Sequence, residues 1–184
     1  MILNGLGRIS PRASDRGLTL LELMTVLVII SILAVLLLPL VGYLRQRAEI
    51  TGCTQNIKGL HTAAANYVTS AGHWPQISTK QLGKPAHAQA WYEVLRPYGV
   101  SPKNWVCPSA QRLLNNPDMT NPKNARVDYH ATPFDSGPQT PYKWAGQPWF
   151  VEAGDFHGDG PLLIFSAGQV KSLRQHIRDT GVKK

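Results

Sequence analysis

Charge is the first scarcity. Only 16% of the 184 residues are Asp, Glu, Lys or Arg, where soluble domains carry about 25%. From Leu23 to Leu44 there is none, and no histidine either. An uncharged apolar run of 22 residues is too long for an ordinary core helix, which argues against a plain soluble enzyme. Cysteine is scarce as well. The two present, Cys53 and Cys107, exclude a disulfide-dense miniprotein, and neither has a second Cys or a His at zinc-finger spacing. The composition also excludes a disordered tail, a coiled coil and a collagen. No G-x-S-x-G, P-loop, H-E-x-x-H or glycine-rich dinucleotide fingerprint occurs, so no catalytic residues are assigned and no cofactor is expected.

What is present begins with the segment LTLLELMTVLVIISILAVLLLPLVGYL, Leu18 to Leu44. Its 22 uncharged residues make a helix of ~33 Å at 1.5 Å per residue, matching a hydrocarbon core of ~30 Å. Apolar residues lie on every face, so it is not an amphipathic surface helix. A secretory signal peptide has a shorter apolar core and then a small-x-small cleavage site; no such site follows here, and Glu22 lies close to the start.

Glu22 is the most informative residue. A carboxylate in an apolar zone costs several kcal/mol unless it is paired or neutralised. Thr19-Leu20-Leu21-Glu22 reads as a capping box, which satisfies backbone donors at a helix start. The other role is pairing with a cation. If the chain is cut after Gly17, the new α-amino group at Leu18 is the nearest one. Both roles can coexist.

The residues GLTLLE, with a basic leader (Arg8, Arg12, Arg16) before and an unbroken apolar helix after, resemble the type IV prepilin signature. The resemblance implies cleavage by a prepilin peptidase between Gly17 and Leu18 and methylation of the new N-terminus. It also makes Thr19 and Glu22 assembly residues. Leu18 stands where that family usually has Phe. Pro39, with Gly42 soon after, sits where pilins carry a helix-breaking proline; loss of one helical hydrogen bond there predicts a kink or a melted turn. Basic residues are nearly level on the two sides of the apolar run, so the resemblance alone places the leader in the cytoplasm and the rest outside.

Beyond Leu44 the helix continues. Ile50, Cys53, Ile57, Leu60, Ala64 and Tyr67 recur at steps of three and four, one apolar stripe, with Arg45, Gln46, Glu49, Lys58 and Asn66 off it. The pattern stops at Ala71-Gly72. The expected fold is α+β and pilin-like: a long N-terminal α-helix, membrane-spanning in its first half, packed on a small irregular antiparallel β head. Its segments are a cleaved cytoplasmic leader (1–17), a transmembrane and filament-core helix (18–44), an amphipathic continuation (45–72) and a globular head (73–184).

In the head, Gln89–Pro97 predicts a short helix with Trp91, Val94 and Leu95 inward. Arg112 to Ala125 is polar and reads as loop. Val127–Ala131 and Trp149–Glu152 are strand candidates, and Pro161–Ser166 with Gln169–Leu173 predicts a β-hairpin turning at Ala167-Gly168. Trp91, Trp105, Trp144 and Trp149 are expected to pack in the core rather than form a ligand platform. Asp155, His157 and Asp159 alternate before Gly160; Asp155 and Asp159 are the candidate calcium ligands there, against a plain polar turn. His61, His73 and His87 carry no ligand spacing.

The head also resembles one prepilin-like group common in planctomycete and verrucomicrobial bacteria. The features are Cys53-Thr54-Gln55-Asn56-Ile57, Gly72-His73-Trp74-Pro75, Cys107-Pro108-Ser109, and His157 followed by Ala167-Gly168, where that group has Asp-Gly. Two cysteines on one side of a membrane anchor form either a disulfide or two buried thiols; the resemblance favours a Cys53–Cys107 bridge.

The formal net charge is +8, spread along the chain, with Lys171, Arg174, Arg178, Lys183 and Lys184 near its end. No dense basic block with interleaved aromatics appears, so nucleic acid is not an expected partner. The resemblance implies a structural subunit, pilin or pseudopilin, of a type IV pilus-like or type II secretion filament. Its implied partners are a prepilin peptidase, an inner-membrane assembly platform, the bilayer before assembly, and itself or other pilin-like subunits. The implied location is the bacterial inner membrane, single pass, with the head in the periplasm, and then the pilus or pseudopilus. The alternative is a membrane-tethered binding module for DNA, polysaccharide or a secreted substrate.

Overall fold

The computed structural model describes residues 19–114, 125–137 and 140–181, apart from the side chains of Gln81, Leu113 and Thr140. The first element, α1, is one helix of 52 residues, Leu20–Ala71, ~78 Å long at 1.5 Å per residue. It ends where glycine ends it: the Gly72 N–H donates to the Val68 carbonyl at 2.9 Å. Pro39 lies inside α1 without interrupting it, so the melted turn expected there is not formed. Pro39 withholds one N–H, costing ~3 kcal/mol, while the backbone ladder on both sides keeps the segment helical.

The chain divides into two compact units between Tyr43 and Leu44. In the first, every described residue is exposed, Leu20 at 75% and Leu38 at 73% among them. The second unit has its own core, and its contribution from α1 is a stripe of Cys53, Ile57, Leu60, Ala63, Ala64 and Val68. Val68 is buried where the stripe pointed to Tyr67, which is half-buried. Glu49 also departs from its expected solvent position. Its side chain is 12% exposed and pairs with Arg112 at 3.2 Å, because Ser109 and Arg112 of the head, rather than solvent, meet it there.

Segment 102–108 approaches this helix closely. A Cβ on Gly52 would come within 3.2 Å of Pro108 Cγ, and one on Gly59 within 3.0 Å of Asn104 Nδ2. Between them Asn56 Nδ2 donates to the Val106 carbonyl at 2.8 Å. Two glycines seven residues apart share one helix face, and that face is where the backbone of the head docks.

Four strands form the antiparallel sheet: β1 Tyr129–Ala131, β2 Phe150–Glu152, β3 Leu162–Ile164 and β4 Val170–Ser172, in that order. Register aligns Ala131, Phe150, Ile164 and Val170 in one row. Side chains alternate between faces of a sheet, so this row turns together toward the core, with Phe150 and Ile164 fully buried. The β3–β4 hairpin turns at Ala167-Gly168 as the sequence predicts. Gly168 adopts φ +74° and its N–H donates to the Phe165 carbonyl at 2.8 Å; only glycine takes that conformation without strain. The molecule is α+β: a long apolar N-terminal helix and a small four-stranded antiparallel head.

Trp74 is the hub of the core. It meets Trp149 edge-on at 5.0 Å and Phe134 at 5.2 Å, with Trp91 tilted at 5.9 Å, geometries that suit the ring quadrupole. Trp91, Trp105 and Trp149 are buried as expected, but Trp144 is 58% exposed. Trp149 occupies the interior there, and its Nε1 donates to the Pro141 carbonyl at 2.9 Å.

The remaining helices are α2 Pro85–Leu95, α3 Pro108–Leu113, α4 Thr140–Lys143 and α5 Leu173–Thr180. In α2, Pro85 at the first helical position starts the helix four residues before the expected Gln89. Trp91 and Leu95 face inward with Tyr92, while Val94 is half-buried. Arg112 belongs to α3 rather than to the predicted loop, whose residues 115–124 lie outside those described.

Three imidazoles sit in or against this core. Burial holds His61 below its ordinary range, opposed by the Ser166 and Phe165 carbonyls. Burial, with His130 nearby, lowers His87. Burial lowers His130 too, although Asp128 pulls it upward. Each ring takes up a proton less readily in the folded head than in the unfolded chain, where the ordinary value is about 6.5. The unfolded state then binds more protons, so stability falls as pH drops. Thermal unfolding of the head is expected at a lower temperature at pH 5 than at pH 7; an unchanged or higher midpoint at pH 5 contradicts this.

Candidate functional site

The amino-terminal end of α1 forms the capping box. Thr19 N and Thr19 Oγ1 both donate to Glu22 Oε2 at 2.8 Å, and Glu22 N donates back to Thr19 Oγ1 at 3.2 Å. An S/T-x-x-E sequence closes in this way because the two side chains reach each other's backbone across one turn. Both hydrogen bonds from Thr19 land on one carboxylate oxygen. Gly17 and Leu18, the predicted cleavage and methylation residues, lie outside the described residues.

Hydroxyls along the apolar run bond to their own helix. Thr25 Oγ1 donates to the Glu22 carbonyl at 2.9 Å and Ser31 Oγ to the Leu27 carbonyl at 2.7 Å. Such back-bonding hides polar groups from an apolar surrounding. Glu22 is the one Asp, Glu, Lys, Arg or His of the described helix before Arg45, and by length and composition this helix is able to cross a membrane.

A second constellation lies in the head. Cys53 of α1 and Cys107, just before α3, are joined by a disulfide, their Cα atoms 5.0 Å apart. His157 lies against it, with Nε2 3.7 Å from Cys107 Sγ. The same Nε2 is 3.1 Å from Glu152 Oε1, and His157 Nδ1 is 3.4 Å from Ser109 Oγ. Ser109 in turn donates to Glu49 Oε2 at 3.3 Å. Nearby, buried Asp128 accepts from Cys107 N at 3.0 Å and pairs with Arg126 at 2.9 Å. Tyr129 donates to the Cys53 carbonyl at 3.2 Å; burial, then Glu152 and Asp128, push its hydroxyl far above its ordinary range.

The alternating D-x-H-x-D triplet is split. His157 turns inward to Glu152, while Asp155 and Asp159 stay outside. Asp155 Oδ1 accepts from Gly158 N at 2.7 Å and His157 N at 3.3 Å. The little burial it has works to raise its pKa, but donation from Gly158, Gly160 and His157 holds the carboxyl below the usual range. Asp159 faces Arg174 at 3.7 Å. The two candidate calcium ligands thus each serve a local partner. The sequence did not connect Glu152, Glu49 and Ser109 to His157 because nothing in their spacing ties them to it.

Residues 12–38 match the model of the prokaryotic N-terminal methylation motif. The matched span covers the end of the leader with Arg12 and Arg16, Gly17-Leu18, the capping box and most of the apolar run, and it supports a relation to the type IV pilin-like family. No curated protein and no solved structure matches the chain. The methylation motif and the exposed apolar helix together point to membrane anchoring through α1.

Proposed function

We propose that the chain is a structural subunit, a pilin or pseudopilin, of a type IV pilus-like or type II secretion filament. Its precursor inserts in the inner membrane with the leader in the cytoplasm and the head in the periplasm. A prepilin peptidase removes residues 1–17 and the new amine at Leu18 is methylated. An assembly platform then draws the helix from lipid into a bundle of like helices. The observation that carries this is the methylation-motif match at residues 12–38, continuous with an apolar helix that carries one acid near its start.

Lipid tails are as apolar as the flanks of neighbouring subunits, so the exchange from bilayer to bundle is near neutral and packing and polar contacts decide it. Glu22 meeting the amine of a neighbouring subunit's Leu18 supplies register. The back-bonded hydroxyls of Thr25 and Ser31 leave the rest of the surface apolar. In the head, the disulfide suits the oxidising side of the membrane.

Shearing of native cells separates the alternatives. A filament subunit is released as sedimentable polymer. Recovery of all of the protein in the membrane fraction, under conditions where the filament machinery is expressed, favours instead the tethered binding module.

A further inference from the structure

The disulfide does not stand alone in its pocket. Donor atoms of Cys53, Cys107, Glu152 and His157 all lie within 4.8 Å of one another. Both cysteines are fully buried, and the side chains of His157 and Glu152 are 3% and 0% exposed. We propose that the reduced head binds one zinc-class divalent cation through Cys53 Sγ, Cys107 Sγ, His157 Nε2 and Glu152 Oε1, and that this site and the disulfide are alternative states of the same four residues.

Ligand chemistry fits first. Two thiolates, one imidazole and one carboxylate are a donor set for a thiophilic tetrahedral ion rather than for calcium or magnesium. Distances fit next. With Zn–S of about 2.3 Å and Zn–N and Zn–O of about 2.0–2.2 Å, tetrahedral geometry sets neighbouring donors about 3.4–3.8 Å apart. His157 Nε2 lies 3.7 Å from Cys107 Sγ and 3.1 Å from Glu152 Oε1, and all four donors lie within 4.8 Å of one another, so opening the S–S bond and shifts of about 1 Å bring them to a common ion.

The outer atoms of each ligand are already engaged. Glu152 Oε2 accepts from Leu162 N at 3.1 Å, which turns Oε1 toward the sulfurs. His157 Nδ1 faces Ser109 Oγ, and Ser109 donates onward to Glu49 Oε2. With its one proton on Nδ1, His157 donates to Ser109 and presents the Nε2 lone pair to the ion. Such outer hydrogen bonds orient ligands and fix the tautomer of ligating histidines.

The exchange between states balances. The disulfide takes two electrons and two protons from a two-electron reductant. A dithiol becomes a disulfide; a phosphine becomes its oxide, taking oxygen from water while the hydrogens of water go to the sulfurs. The metal then displaces the two thiol protons into solution. A disulfide-class oxidant that takes two electrons from the two thiolates, and two protons from solution to become a dithiol, re-forms the bridge and releases the ion.

The test uses the full chain in detergent micelles, reduced with a phosphine and titrated with Co²⁺ as the visible probe. One Co²⁺ per chain is expected, with the d–d absorption of a tetrahedral site and a thiolate charge-transfer band, both displaced by Zn²⁺. The chain with its disulfide intact is expected to give neither band. His157→Ala and Glu152→Gln are each expected to weaken binding by about tenfold or more, in line with losses of 10–100-fold seen when a metal site's supporting contacts are removed. Absence of the cobalt spectrum in the reduced chain overturns the proposal. So does binding that neither substitution changes, since that is chelation by two thiolates alone. If reduction unfolds the head, Zn²⁺ is expected to restore native tryptophan fluorescence; a head that stays unfolded with Zn²⁺ also overturns it. None of these outcomes depends on whether the chain assembles into filaments.

Discussion

Glu22→Leu is expected to leave membrane insertion intact and to reduce sheared polymer to background. Insertion depends on the length and apolarity of the run, and leucine only raises the latter. On the proposed function, assembly depends on a charge placed where no other Asp, Glu, Lys, Arg or His of the described helix stands before Arg45. On that reading, without Glu22 the Leu18 amine would enter the bundle with no partner. An unpaired buried charge costs ~3–5 kcal/mol, a factor of roughly 100 or more per contact, repeated at every subunit added. The capping box is lost as well, worth ~1 kcal/mol. Glu22→Gln separates the two effects, because the amide oxygen can still accept from Thr19 while the charge is gone. Assembly lost in Glu22→Leu but retained in Glu22→Gln would make the residue a helix cap and nothing more. Normal polymer from Glu22→Leu would remove the carboxylate from assembly altogether.

The second large effect belongs to the bridge. Cys53 and Cys107 are 54 residues apart in sequence. Closing a loop of about 55 residues restricts the unfolded chain by ~4 kcal/mol in the chain-entropy account. That is a large part of the ~5–15 kcal/mol that stabilises a domain, and the strands among the described residues of the head are three residues each. Cys53→Ala with Cys107→Ala is expected to lower the thermal midpoint of the head by about 8 °C or more, since ~1 kcal/mol moves a domain of this size by about 2–8 °C. Calorimetry in metal-free buffer measures it. A shift of a degree or two would mean that the core around Trp74 holds the head without help from the covalent link.

Periodicity made the long elements readable. The uncharged run and the stripe from Ile50 to Ala64 both follow from residue type alone, and α1 spans both. Short elements were readable only where a turn or a cap announced them. Ala167-Gly168 marked the hairpin. In α5, the signal was present but overlooked: Ser172 caps the helix by accepting from Gln175 N at 3.1 Å, an S-x-x-Q pattern. Pro39 shows the opposite limit, a local breaker outvoted by the helix on either side. Contacts distant in sequence left least trace. Nothing in Glu152 or Ser109 announces that His157 will turn from Asp155 and Asp159 to meet them, because that choice is made by burial and by the sheet register that carries Glu152 opposite Tyr129.

The central claim is that proteolysis creates the amine that Glu22 serves. Mass spectrometry of the protein isolated from native membranes tests it most directly. The expected result is a chain beginning at Leu18 with one methyl group on its amine. A chain retaining Met1, or cut at any bond other than Gly17–Leu18, would contradict it.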